Sequence, residues 1–238
     1  MTPVNNQWQI DFLTPDPEAI HEVQSSVTLM QESWATEPNT TIENLNNGLL
    51  RALVPQNDST IQFFRVALQP PPPVFFDDME AGADDWVVGL REGATATATA
   101  WEIGTPETAS GLVEGAFSGV QCWATDLDAT YAPGALITLR SPVIDLANVE
   151  RPRLRFQYAV DSTEEVEGGR INFRNESGEI LVESDFVFWG TSESWQAFDR
   201  PVPVEARNRK IILEFEFLSD ELGPNGEGWF IDDVSVGR

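Results

Sequence analysis

Hydrophobic and polar positions alternate with a period of two along most of this chain, which is the signature of half-buried β-strands. Trp8, Ile10 and Phe12 alternate with polar neighbours, Leu49 and Leu53 flank Arg51, and the segment Ile61 to Leu68 carries Phe63, Phe64 and Val66. Asn46-Asn47-Gly48 is a turn signal between two such runs. Further along, 136–139, 154–158, 171–173, 180–182, 211–217 and 229–236 are β-branched or aromatic runs. Turn formers separate them: Gly168-Gly169, Ser177-Gly178 and Gly223-Pro224-Asn225-Gly226. From Leu213 onward the alternation points Glu214 and Glu216 outward. No amphipathic helix of useful length occurs. The pattern predicts an all-β protein, a small β-sandwich followed by a larger antiparallel jelly-roll β-sandwich.

The run Pro70 to Pro73 is extended and donates no ladder hydrogen bonds, so it acts as a semi-rigid spacer. It divides the chain into a spacer-like module over 1–69 and a second domain over 74–238. The tract Ala94 to Ala100, with three threonines on one face, reads as an edge strand or loop.

Charge narrows the function classes. The chain carries 14 Lys and Arg against 39 Asp and Glu, a net −25. Such a field repels nucleic acid and anionic membranes and attracts cations. No apolar run is long enough to insert into a membrane. Thr2 and Pro3 follow Met1 where a signal peptide would be apolar, so the start reads as that of a mature fragment. One cysteine, Cys122, excludes an intrachain disulfide and, beside Val120 and Trp123, reads as a small buried hydrophobe. One histidine, His21, leaves a histidine triad or multi-histidine zinc site without its parts. Paired carboxylates could serve glycoside hydrolysis, but no spacing here selects one pair.

Seven motifs and one further tryptophan follow one another in a telling order. They begin with Phe76-Asp77-Asp78-Met79-Glu80 and Trp86, then Trp101-Glu102-Ile103-Gly104-Thr105-Pro106 and Ser118 to Leu127 with Tyr131. Leu139 to Leu146, Leu154-Arg155-Phe156 and Trp195 follow, then Phe217-Leu218-Ser219-Asp220 and a closing Gly228 to Val234. In this order 74–238 resembles the MAM-like jelly-roll domains of bacterial secreted proteins, including the domain appended to immune-inhibitor-A-type metallopeptidases. The resemblance implies a concanavalin-like β-sandwich with adjacent terminal strands, structural calcium, and a non-catalytic role in recognition or adhesion. Residues 22–34 with Phe63-Phe64-Arg65 resemble a small β-sandwich unit of multimodular bacterial surface proteins. The implied setting is secreted or cell-surface, within a larger multimodular protein, and the implied partner is an extracellular glycan or protein. A purely structural accessory module of a secreted enzyme is the alternative.

Adjacent terminal strands would bring Asp78, Glu80 and one of Asp232 or Asp233 together. Asp78 and Glu80, two apart, would share a strand face, and one of the aspartates would share the core-facing row of Val234 and Val236. A carboxylate there is costly unless paired or metal-bound, and an all-oxygen set suits calcium. A second cluster, Asp161, Glu164, Glu165 and Glu167, reads as a solvated loop or a ligand-facing one, since in the family a loop acid near here faces the binding end. Trp86, Trp101, Trp123 and Trp229 are expected in the core, and Trp195 with them. Trp189, in a loop-like setting, is the aromatic available to stack on a sugar or anchor a protein contact.

Overall fold

The computed structural model describes every residue except 1, 5, 15–18, 57–61, 70, 84, 96–97, 109, 164 and 223–225. Glu164, the middle of the threonine tract and most of the 223–226 turn therefore lie outside the described residues. The chain forms two compact units, Met1–Pro72 and Pro73–Arg238, divided within the proline run.

The first unit is built from β1 (Thr2–Val4), β2 (Gln7–Leu13), β3 (Ile20–Ser26), β4 (Ala35–Thr36), β5 (Thr41–Asn44), β6 (Leu49–Pro55) and β7 (Phe63–Gln69). One sheet runs β1-β2-β6-β5 and the other β4-β3-β7, all antiparallel. The strict alternation of β6, with Leu50, Ala52 and Val54 buried, places one face on the core. Val23, Ala52 and Val54 form its centre, with Trp8, Ile10, Phe12 and Phe64 packed around them. His21 bonds Thr14 Oγ1 at 2.9 Å and lies against the Phe12 ring.

The second unit comprises β8 (Phe75–Asp77), β9 (Val87–Leu90), β10 (Glu102–Gly104), β11 (Cys122–Ala124), β12 (Leu136–Arg140), β13 (Ile144–Asp145) and β14 (Arg153–Ser162). It continues with β15 (Gly168–Arg174), β16 (Ile180–Phe188), β17 (Gly190–Thr191), β18 (Gln196–Pro201), β19 (Lys210–Leu218) and β20 (Gly228–Gly237). One sheet runs β10-β11-β20-β14-β17, with β18 also on β14 and β8 also on β20. The facing sheet runs β16-β15-β19-β12-β9, with β13 on β19. Asp77 pairs with Val234, so the first and last strands of the unit are neighbours.

Between the sheets lies an aromatic core. Phe156, Phe215, Phe188 and Trp229 touch one another at ring separations of 4.7 to 5.7 Å. Trp86, Trp101, Trp123 and Trp229 are all buried, each large ring contributing about 1.5–3 kcal/mol or more through apolar area removed from water. Trp195 sits apart from them. It is half-buried over a second, smaller cluster with Cys122 and Phe230, and its indole donates to the Gly115 carbonyl at 3.0 Å. Cys122 is fully buried, and desolvation drives its thiol pKa upward, so it packs as a hydrophobe. Over 94–100 the described residues form no strand; Thr99 is buried and its hydroxyl accepts the Ala132 N–H.

Candidate functional site

The two ends of the motif series meet at the loop 117–121, and carboxylates hold that loop through its backbone. Asp232 Oδ2 accepts the N–H groups of Phe117 at 2.9 Å and Ser118 at 3.1 Å. The Ser118 hydroxyl donates to Asp233 Oδ1 at 2.7 Å. Glu80 Oε1 accepts from Val120 and Gln121, both at 2.8 Å. Gly119 sits at φ +59°, and a Cβ there would come within 2.4 Å of the Glu80 carboxyl, so glycine lets the acid close on the loop.

Two local distortions aim these acids. Opposite Phe156, strand β20 carries two residues, Asp233 and Val234, between the pairs Gln157–Asp232 and Arg155–Ser235. This β-bulge, with Asp233 at φ +50°, flips the alternation. The inward row is therefore Trp229, Ile231, Val234 and Val236, while Asp232 lies on the opposite face with Phe230. The expectation that an aspartate shares the row of Val234 and Val236 is corrected by that bulge. Asp78 and Glu80 likewise do not share a strand face. Strand β8 ends at Asp77, and Met79, fully buried at φ +64°, turns the chain so that Glu80 reaches the loop. Asp78 Oδ1 accepts the Glu80 N–H at 3.3 Å, and Asp77 holds the Met79 N–H and the Trp86 indole, both at 2.8 Å.

Asp232 is completely buried, and that desolvation, with the Asp233 charge beside it, pushes its pKa up to about 6 against the pull of three backbone N–H donors. These oxygens are the hard donors that calcium takes. Among the described residues, however, no group of three His, Cys, Asp or Glu side chains closes around one point. The carboxylates are occupied as clamps on amides.

A second site lies on the rim of the β15–β16 sheet edge. Gly168 takes φ +147°, and a Cβ on it would strike the Phe188 carbonyl at 2.2 Å and reach the Trp189 Cβ at 3.2 Å. That close approach leaves a cleft of about 240 Å³ lined by Glu165, Val166, Gly168, Arg170, Val187 and Trp189. Trp189 is 41% exposed, an apolar wall beside Glu165, Glu167 and Arg170. Glu165, at φ +63° in the loop before β15, and Trp189 are thus brought together. Asp161 is not among the lining residues: it accepts the Thr191 hydroxyl at 2.8 Å and the Glu227 N–H at 3.0 Å.

Two buried acids near this end tie loops to the sandwich. Glu167 accepts from the Tyr131 hydroxyl and from the amides of Thr163 and Asp220. Burial and the Glu167 partner raise the Tyr131 pKa to about 12. Glu227, missed by the sequence reading, accepts the Ser110 amide at 2.6 Å and its hydroxyl at 2.8 Å. An acid set between Gly226 and Gly228 at the mouth of a buried strand was the available signal.

No family model matches the chain, and no curated protein does. Among solved structures it is similar to the K1 cleaved adhesin domain of Lys-gingipain from Porphyromonas gingivalis W83, at 16% identity and a TM-score of 0.44 over 69% of this chain and 97% of that one. It is also similar to TmCBM61, solved with β-1,4-galactotriose, at 12% identity and a TM-score of 0.40 over 68% of this chain and 94% of that one. A third is the C-terminal family 22 carbohydrate-binding module of Clostridium thermocellum Xyn10B, at 10% identity and a TM-score of 0.40 over 69% and 92%. At such identities and scores no residue role passes from these domains to this chain.

Proposed function

We propose that this protein is a non-catalytic, extracellular recognition module and that its second unit binds glycan at the Trp189 cleft. The observation that carries the reading is the half-exposed Trp189, which walls a small cleft lined also by Gly168, Glu165, Glu167 and Arg170. A flat apolar ring with a few polar groups around it is the arrangement that takes one face of a sugar and its hydroxyls together. Glu167 and Glu227, the buried acids nearby, are engaged by protein donors, which suits a structural use better than proton transfer. A glycan array probed with the labelled protein tests the reading. Binding that disappears in Trp189→Ala supports it, and an array silent at every concentration contradicts it.

Structural calcium at Asp78, Glu80, Asp232 and Asp233 is the second part of the proposal. The supporting observation is a buried carboxylate of raised pKa flanked by further acids, a local field that a bound cation would relieve. Calcium added to chelator-stripped protein should raise the melting temperature. A melting temperature unmoved by excess calcium removes the metal from the account and leaves the amide clamp. The membership of 74–238 in the MAM-like group, and its place within a larger secreted protein, belong to the same proposal.

A further inference from the structure

Strand β9 ends the β16-β15-β19-β12-β9 sheet, and among the described residues it pairs with β12 alone. Its register sets Val88 against Leu139 and Leu90 against Ile137, so these two share the core-facing row. Leu139 and Ile137 are buried, yet Val88 and Leu90 are each 42% exposed. Val87, on the opposite face, is 59% exposed. The Arg91 N–H donates to the Leu136 carbonyl at 2.9 Å, which in an antiparallel ladder turns the backbone of Val87, Gly89 and Arg91 toward β12. The N–H and C=O groups of Val88 and Leu90 therefore point off the sheet. Folds usually guard such an edge with a lysine, a proline or a bulge. Val87 to Leu90 carries none of these.

The edge is complementary to itself. Two copies of β9, laid antiparallel about a two-fold axis through Val88, would pair Val88 with Val88 and Leu90 with Trp86 of the second copy. The two apolar core-facing rows then run on as one. On the other face Val87 comes opposite Gly89 of the second copy, where the missing side chain leaves room for it. At each flank the exposed Asp85 comes opposite Arg91 of the other copy, whose side chain is 43% exposed. Opposite charges thus meet at both ends. Glu92 lies past this ladder, in the turn that the Ala94 N–H closes on the Arg91 carbonyl. An axis moved to Gly89 would set Arg91 against Val87 and lose the charge match.

We infer that β9 is a self-association edge, through which two copies of this chain join their sheets into one. The contact is short, so the association is weak, with a Kd of about 0.1 mM. Strands β9 and β16 stand at opposite ends of the sheet. The two Trp189 clefts would therefore lie at the far ends of the joined sheet, roughly 40 Å apart at about 4.8 Å per strand. A polymer long enough to reach both gains avidity. That consequence rests on the glycan reading; the association itself does not.

The test is sedimentation velocity of the whole chain at concentrations up to about 1 mM. Wild type is expected to move toward twice its monomer mass as concentration rises, and Asp85→Arg to associate about ten-fold more weakly or worse. Removing an acid from a chain of net −25 lowers general repulsion, so a loss reports the clash with Arg91 of the other copy. Cross-linking checks the register. A short bismaleimide should couple Val88→Cys to its own copy at the axis, but not Leu90→Cys, whose two positions lie roughly 14 Å apart. The two sites are equally exposed, and the native Cys122 is fully buried and cannot compete. A monomer at every concentration, an Asp85→Arg chain that associates like wild type, or equal coupling of the two cysteine variants overturns the inference.

Discussion

The acids of the loop clamp and the acids of the sheet face solve one problem by opposite means. Asp232 and Glu214 are both fully buried carboxylates in a strongly acidic chain. Backbone N–H dipoles and a neighbouring aspartate surround Asp232, and burial outweighs those donors, so its pKa is raised to about 6. Two guanidinium groups and the Asn172 amide surround Glu214, and they outweigh an equal burial, so its pKa is lowered. Amide dipoles satisfy hydrogen bonding but supply no net charge; arginines supply both. The clamp is thereby left with carboxylate charge that no cationic side chain offsets, while on the sheet face the buried acids are offset by guanidinium groups.

The largest effect that sharpens this contrast should come from Glu214→Ala. It strands Arg140 and Arg174 over a buried gap, and breaking such a pair from one side costs about 3–5 kcal/mol. Denaturant unfolding measures it, and a loss below about 1 kcal/mol would show that the arginines find water instead. Asp232→Ala should cost less, about 1–3 kcal/mol, because it orphans the Phe117 and Ser118 amides but no charge. Asp232→Asn, which keeps an acceptor oxygen, should cost under about 1 kcal/mol.

Next in size is a pH dependence of opposite sign at the two sites. The folded pKa of Asp232 lies above its ordinary 3.8, so the native state holds that proton more tightly than the unfolded chain. Wild type should therefore gain on Asp232→Asn, by on the order of 2 kcal/mol, as pH falls from 7 toward 4. The folded pKa of Glu214 lies below its ordinary 4.5, so its stabilisation is complete above that pH and is lost as pH falls through the folded value. Melting curves of wild type, Asp232→Asn and Glu214→Gln across pH 3 to 7 should diverge accordingly, and parallel curves would refute the comparison. The smallest effect belongs to an exposed acid. Asp199 sits 2.6 Å from Arg153 with nearly half its side chain in solvent, and Asp199→Ala should cost no more than about 1 kcal/mol.

The sequence was most legible where one face alone decides a residue's surroundings. The alternation of Leu213 to Phe217 and the four core tryptophans of the second unit read correctly, because burial follows period and residue type. What escaped reading depends on partners distant in sequence. The bulge at Asp233 answers to β14 across the sheet, and it moved Asp232 from the expected row to the opposite face. Glu214 and Glu216 point outward as expected yet are buried, because arginines from β12, β15 and the end of β9 cover them. Of the described residues of the second acidic cluster, Glu165 and Glu167 line the cleft with Trp189, while Asp161 is drawn to Thr191 and Glu227 by its own hydrogen bonds. Glu167 was marked only as a loop acid, and its buried bond to Tyr131 spans 36 residues.

The measurement that bears most directly on the central claim is the affinity of wild type and Trp189→Ala, at matched folding, for the strongest glycan found on an array. The account predicts saturable binding by wild type and at least a ten-fold loss in the variant, the expected cost of removing a stacking ring. Saturable binding that is indifferent to Trp189 would contradict the assignment of recognition to this cleft.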